Sequence, residues 1–414
     1  MSISGATAAW EPRYARRAER MVASEIRELL KLLDQPDITS FAGGIPDPAL
    51  FPVAEIGAAY QTVLGNPALA GAGLQYSPSE GYAPLRLWLV EHMARLGVAC
   101  AADNIVITCG SQQALEFLGR LLLSPADTAL VTVPTYLGAL QAFAAYEPNY
   151  DVLRPELSNR TPLSYRAAAA AAGGGVKFAY VVPDFANPTG ETLSLAARER
   201  LLDLAAELDI PILEDAAYSA LLFEGEPMPA IQALDLRRCG SIERARTIYC
   251  GTFSKTLSPG LRVGWVVAPR TLIRRLVLIK QASDLNSATV NQMVMHHLAQ
   301  TVYASQVAAA RAHYHRRRDA MLAALARHMP SRCSWTEPKG GLFVWLRLPA
   351  GYDGASLLSR AVEEARVAFV PGAAFSFDRS TPNALRLSYS LAAEAEIEDG
   401  IARLASLIGR HGPS

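Results

Sequence analysis

The sequence predicts an α/β fold, with a mostly parallel central sheet covered by helices and a smaller α+β module after it. Three observations carry this reading. The middle of the chain alternates short, unbroken apolar runs with amphipathic stretches, the pattern of strands buried on both faces and the helices that cover them. After about residue 295 this texture gives way to one long helical stretch followed by strands and helices in mixed order. Half of the 414 residues are hydrophobic, enough for a large core and more than one domain.

Taken in order, RMVASEIRELLKLLD (residues 20–34) spaces apolar side chains as a helix does. A Gly/Pro-rich segment follows, SFAGGIPDPALFP, from Ser40 to Pro52. NIVITCG reads as a strand and SQQALEFLGRLLL as a helix; TALVTVP is a strand and TYLGALQAFAAY a helix; KFAYVVP is a strand and LSLAARERLLDLAAELD a helix. PILED, TIYCG and RVGWVVAP are three further strands. The triplet Gly173–Gly175 follows an alanine run and reads as a helix stop, not a phosphate loop. In the last third, VAAARAHYHRRRDAMLAALARHM is a long helix and SWTEPKGGLFVWLRLP a hairpin around a Gly-Gly turn. ASLLSRAVEEARV is a helix, VAFVPG and ALRLSYS are strands, and EAEIEDGIARLASLIG is the final helix.

The totals exclude several classes. Basic and acidic residues number 39 each, so no positive excess marks a nucleic-acid or membrane-surface binder. Five cysteines (Cys100, Cys109, Cys239, Cys250, Cys333) lack CxxC spacing, which favours a reduced, cytoplasmic setting over a disulfide scaffold. The first twenty residues have no apolar signal core, and no apolar run reaches the ~18 residues of a membrane span. The adjacent His296 and His297 would point in different directions on a helix, so no metal site is expected there.

The chemistry gathers at strand ends, where ligands collect in such sheets. The Gly-Ser turn at Ser111 opens a helix whose free N–H groups suit a phosphate, although serine at a helix start is also an ordinary cap. Tyr136 follows a strand and would stack on a planar ligand or cover core. Asn187 places an amide before a Pro-Thr-Gly turn. Glu214 and Asp215 end a strand on opposite faces, so one of them points into the site, with Tyr218 three residues on. A buried carboxylate needs a cationic partner or strong hydrogen bonds; a pyridinium nitrogen would supply the first. In GTFSKTLSPGLRVGW, Lys255 supplies an amine that desolvation would free of its proton for Schiff-base chemistry. Arg262 would then be a bidentate phosphate ligand. Arg386, inside the apolar strand ALRLSYS, needs an anion: a substrate carboxylate or an internal acid.

These motifs, with SFAGGIPDP, YSPSEGY, TCGSQQAL, PDFANPTG, EDAAYS, PKGGLFVW and VPGAAF, resemble the class I/II aminotransferases, the fold-type I enzymes that use pyridoxal 5′-phosphate. The resemblance runs from about Ser40 to the last helix and is nearest to the 2-aminoadipate, kynurenine and related multi-substrate group. It extends to the catalytic part of MocR-type regulators, whose DNA-binding domain would not fit in the some forty residues before Ser40. The resemblance implies a large cofactor domain over residues 51–295. It also implies a small domain made of residues 296–414 with the N-terminal helix and lid of residues 1–50.

By the same resemblance, Lys255 is the Schiff-base lysine and proton shuttle, and Asp215 pairs with the pyridine nitrogen. Asn187 and Tyr218 face the ring's phenolic oxygen, and Tyr136 stacks on the ring. Ser111, Gln112, Thr252 (where serine is more usual), Ser254 and Arg262 hold the phosphate. Tyr76 would reach the phosphate of a neighbouring subunit in a homodimer. Arg386 would bind the substrate α-carboxylate, with the backbone around Gly44 and the Asn187 amide beside it. The implied reaction moves an α-amino group to a 2-oxo acid such as 2-oxoglutarate or pyruvate in two half-reactions. A different bond cleavage at the same cofactor, or a sensor without turnover, is the competing expectation. Ala42, Ile45 and Tyr76 are candidates for the side-chain pocket, and their character fits aromatic, branched or long-chain amino acids.

Overall fold

A computed structural model describes residues 10–20 and 37–410, so the helix expected over residues 20–34 lies almost wholly outside the described residues. Thirteen strands form three sheets among the described residues. The large one contains β2 (Ile105–Thr108), β3 (Thr128–Thr132), β4 (Asn149–Leu153), β5 (Val176–Val181), β6 (Ile212–Asp215), β7 (Thr247–Thr252) and β8 (Gly264–Val267), in the order β2-β8-β7-β6-β5-β3-β4. All its pairings are parallel except those of β8, which is antiparallel to both neighbours. β2 and β7 therefore run the same way, and β2, β3, β5, β6 and β7 all end at one edge of the sheet.

Six of these seven strands match the apolar runs of the sequence. The seventh, β4, was not expected. NYDVL has no continuous apolar run: it lies at one edge of the sheet and, unlike β2 at the other edge, is only part-buried along most of its length. The glycine triplet ends the helix Pro162–Ala171, with Gly173 at φ +91°.

The later strands build a second, four-stranded sheet: β9 (Ser334–Trp335), β10 (Phe343–Arg347), β12 (Val370–Pro371) and β13 (Ala384–Ser388), in the order β12-β13-β10-β9. VAFVPG divides between β12 and β11 (Val367–Ala368), and β11 pairs in parallel with β1 (Thr39–Ser40). Thr39 and Ser40 thus join the C-terminal module through backbone pairing that periodicity could not reveal. The module has its own sheet, yet its core is not separate. One apolar cluster runs from Val106 and Leu213 in the large sheet through Phe343 and Leu387 to Ile401 in the last helix. Among the described residues no helix is long and apolar enough to cross a membrane.

Candidate active site

The shared edge of the parallel strands positions the site. Tyr136 follows β3, Asn187 follows β5, Asp215 ends β6, Thr252 ends β7, and the helix Ser111–Leu122 begins just past β2. Arg262 comes two residues before β8, which starts at the same edge because it runs the other way.

Glu214 and Asp215 divide as their alternation requires. The Glu214 carboxylate accepts the backbone N–H groups of Ile231 and Gln232, both at 2.8 Å, and so closes the start of the helix Ile231–Cys239. Burial pushes it up to about 7. Asp215 turns to the other side, where Tyr180 Oη donates to its Oδ2 at 2.8 Å. Its Oδ1 is buried without a hydrogen-bond partner, and burial raises the carboxyl to about 6. Tyr180 was not anticipated. As an aromatic in the apolar run KFAYVVP it looked like core, and only the pairing of β5 with β6 brings it to Asp215.

Lys255 Nζ donates to the Gly44 carbonyl at 2.9 Å and lies 5.6 Å from the Tyr218 ring centroid. Desolvation, then the charges of Arg386 and Arg262, push the amine down to about 8. Near neutral pH part of it is therefore an unprotonated base. Tyr218 is buried, and desolvation pushes its phenol well up.

The phosphate ligands of the sequence reading meet around one helix start. Gly110, not Ser111, is the cap: its φ is +75°, and Ser111 is the first helical residue. The first N–H groups of the helix have no intrahelical partner. The Gln112 side chain is occupied, with Nε2 on the Gly138 carbonyl at 2.6 Å and Oε1 accepting Tyr136 Oη at 3.3 Å. It ties Tyr136 to this helix and leaves its backbone N–H for an anion. Tyr136 is half-buried, and its phenol is pushed up to about 12 by desolvation. Thr252 Oγ1 donates to Ser254 Oγ at 2.9 Å, which leaves the Ser254 proton free to donate outward. Arg262 is exposed, and its Nη2 donates to the Cys109 carbonyl at 3.0 Å beside Gly110.

Arg386 has no acid partner among the described residues, which removes the internal ion pair as its explanation. Its Nη1 donates to Asn187 Oδ1 at 2.9 Å and its Nη2 to the Ala42 carbonyl at 2.6 Å, while Nε is buried and unpaired. The guanidinium lies 4.5 Å from the Phe343 ring centroid and 5.0 Å from that of Phe375. Desolvation lowers it to about 10, so it stays charged at neutral pH. Because Asn187 Oδ1 accepts from Arg386, its Nδ2 is the end left to donate to a ligand. Ala42 is fully buried and gives the site its carbonyl, whereas Ile45 is exposed. Tyr76 does not join these residues. It is 78% exposed, and its hydroxyl makes no hydrogen bond among the described residues.

The unmet groups ask for one molecule with an anion at the Ser111 helix, a basic ring nitrogen at Asp215 Oδ1 and a carbonyl carbon within reach of an amine. Pyridoxal 5′-phosphate has all three, and the fold and site together define a fold-type I pyridoxal-phosphate enzyme. The chain belongs to the class I and II aminotransferases, whose family model matches residues 58–404. It is 40% identical to the aromatic-amino-acid aminotransferase 1 of Thermococcus litoralis, over 98% of this chain and 96% of that protein. Among solved structures it is similar to the kynurenine aminotransferase of Pyrococcus horikoshii (TM-score 0.88, 40% identity, 97% and 98% of the two chains). It is also similar to the α-aminoadipate aminotransferase of Thermus thermophilus, complexed with N-(5′-phosphopyridoxyl)-L-leucine (TM-score 0.86, 37% identity, 97% and 99%). The chain is a pyridoxal-phosphate-dependent aminotransferase.

Proposed function

We propose that it moves the α-amino group of an aromatic, branched or 2-aminoadipate-like amino acid to a 2-oxo acid such as 2-oxoglutarate or pyruvate. The observation that carries this reading is Arg386: buried, charged, without an acid partner among the described residues, and held by the same short segment as Lys255. Such a cation recognises the carboxylate common to amino and oxo acids. The aromatic rings of Phe343 and Phe375 beside it, and the substrates named for the relatives, support an apolar or long side chain.

Bound pyridoxal phosphate supplies an electron sink for the charge that develops when Cα loses its proton. The chain does the rest. Ser111, Gln112, Ser254 and Arg262 hold the phosphate, with Thr252 backing Ser254. Asp215 keeps the ring nitrogen protonated, and Tyr136 covers the ring. Asn187 and Tyr218 face the phenolic oxygen. Arg386 fixes the substrate carboxylate, and Asn187 holds the guanidinium from behind. Lys255, whose desolvated amine is partly unprotonated near neutral pH, would take the Cα proton on its Nζ and hold it for return.

The same reading divides the chain into a cofactor domain over residues 51–295 and a small domain of residues 296–414 with residues 1–50. The large sheet, confined to residues 105–267, and the β1–β11 pair support it. It makes the protein a homodimer in which the outward-facing Tyr76 serves the partner subunit's phosphate. It places the protein in the cytoplasm, in keeping with five unpaired cysteines.

The test is a donor screen. Incubating the cofactor-loaded protein with each common amino acid should convert the bound cofactor to its amino form, fastest with aromatic, branched or long-chain donors. Borohydride should abolish the visible band, and Lys255→Ala should lack it. Release of ammonia or carbon dioxide without that conversion would instead assign an elimination or a decarboxylation.

A further inference from the structure

Two carbonyls of one short segment serve the site: Ala42 takes Arg386 Nη2, and Gly44 takes Lys255 Nζ. Sheet-like pairing in this segment stops at Phe41, whose N–H and C=O pair with Ala368 and Ser388. The next helical turn begins at Pro48. Between them the chain is fastened at Asp47. Its buried Oδ2 accepts from Arg317 Nη2 at 2.8 Å and from His313 Nε2 at 3.0 Å. Its Oδ1 accepts the Ala49 N–H at 2.9 Å, and its own N–H donates to Tyr314 Oη at 2.9 Å. The carboxylate has no proton to give, so His313 Nε2 carries one. Arg317 reaches further: its Nη1 donates to the Ser390 carbonyl, two residues past the end of the strand that carries Arg386. One ion pair thus links the segment to the long helix Tyr303–His328 and to the exit of β13.

We propose that Asp47 is a positioning residue for transamination. Clamped by Arg317 and His313, it sets where the Ala42 and Gly44 carbonyls stand, and through them the aim of the Arg386 guanidinium and the Lys255 amine. This rests on the roles given above to Lys255 and Arg386. The plainer role would be a cap for the turn at Pro48 combined with a stabilising ion pair. That role would cost folding free energy on mutation but leave each folded, loaded site as active as before. A positioning role instead touches reactivity, because small displacements of reacting groups are costly.

The test compares wild type with Asp47→Asn, Arg317→Met and the milder His313→Gln, each loaded with cofactor. Asp47→Asn keeps an oxygen for Ala49 and loses the charge that holds Arg317. We expect the backbone amides of residues 42–45 to exchange hydrogen about tenfold faster in Asp47→Asn and Arg317→Met, with β7 and β13 unchanged. We also expect kcat/KM for the best donor, per cofactor-loaded site, to fall about tenfold in each, and no further in the double variant. Unaltered exchange in residues 42–45, or kcat/KM per loaded site within twofold of wild type, would overturn the proposal. If Asp47→Asn fails to fold, Arg317→Met and His313→Gln carry the same two measurements. The exchange measurement needs no turnover, so it judges the clamp even if the transamination reading fails.

Discussion

Tyr180 and Asp215 meet across neighbouring strands, the phenol donating to the carboxylate at 2.8 Å and leaving the second oxygen bare. The hydrogen bond holds the carboxyl down against a burial that lifts it to about 6. Without the phenol the carboxyl would rise further and keep its own proton near neutral pH. It would then no longer balance a protonated ring nitrogen. A hydrogen bond to a charged group contributes about 1.5–3 kcal/mol. Tyr180→Phe should therefore weaken cofactor binding roughly tenfold or more, read by titrating cofactor-free protein with pyridoxal phosphate. It should also move the acid limb of the rate profile to higher pH. An unchanged affinity would mean that Asp215 needs no support from β5.

The same carboxylate should destabilise the cofactor-free protein. Asp215 moves from 3.8 unfolded to about 6 folded, so the folded state binds the proton more tightly. That contribution to stability is present below pH ~3.8 and is lost as pH rises through ~6. A shift of about two units corresponds to roughly 3 kcal/mol at most. Asp215→Asn has no charge to bury and still accepts from Tyr180. Without cofactor it should be more stable than wild type at pH 7.5 by about 2–3 kcal/mol, a gap that narrows to about 1 kcal/mol near pH 4.5. Urea unfolding at the two pH values measures this. Glu214 titrates in both proteins and cancels. With cofactor the order should reverse, and transamination should be nearly lost.

How much of this was legible in the sequence depends on the range of the interaction. Lys255, Asp215, Asn187 and Arg262 stand beside turns and apolar runs that mark strand ends, so local pattern was enough to place them at one edge of the sheet. Local pattern also marked Gln112 as a candidate, but not that its side chain is spent on Tyr136 and Gly138. Tyr180 and Phe343 were not found, because an aromatic in a strand reads as core until strand order is known. The carbonyl of Ala42 has no sequence signature at all, since every residue has one. It matters only because β1 pairs with β11 and carries the segment to Arg386.

Arg386 should discriminate by carboxylate. Its unpaired Nε and the absence of a nearby acid among the described residues leave its charge to a ligand. Losing one partner of a desolvated charged pair costs about 2–5 kcal/mol. Arg386→Gln should therefore lower kcat/KM for amino acids roughly a hundredfold or more. For the corresponding amines, which lack the carboxylate, the rate should change little. Arg386→Lys keeps the charge but not the fork that spans Asn187 and Ala42, and should fall in between. Equal losses with amino acids and amines would place the carboxylate elsewhere.

Gly110 is where backbone conformation and phosphate binding meet. Its φ of +75° disfavours any side chain, and a Cβ there would collide with Arg262 Nη2 and lie 2.9 Å from its Cζ. The guanidinium would have to leave the helix start, giving up its hydrogen bond to the Cys109 carbonyl. Arg262 is exposed and can swing outward, so the cost to folding should come from the backbone alone, about 1–3 kcal/mol for a side chain at φ +75°, ψ 169°. The cost to the ligand should be confined to its phosphate. Gly110→Ala should weaken pyridoxal 5′-phosphate binding about tenfold while leaving affinity for pyridoxal, which lacks the phosphate, within a factor of about two. Arg262→Met should behave alike, and the double variant should add little, because both changes remove the same contact. Additive losses, or an equal loss for pyridoxal, would show that Gly110 serves the helix and not the guanidinium.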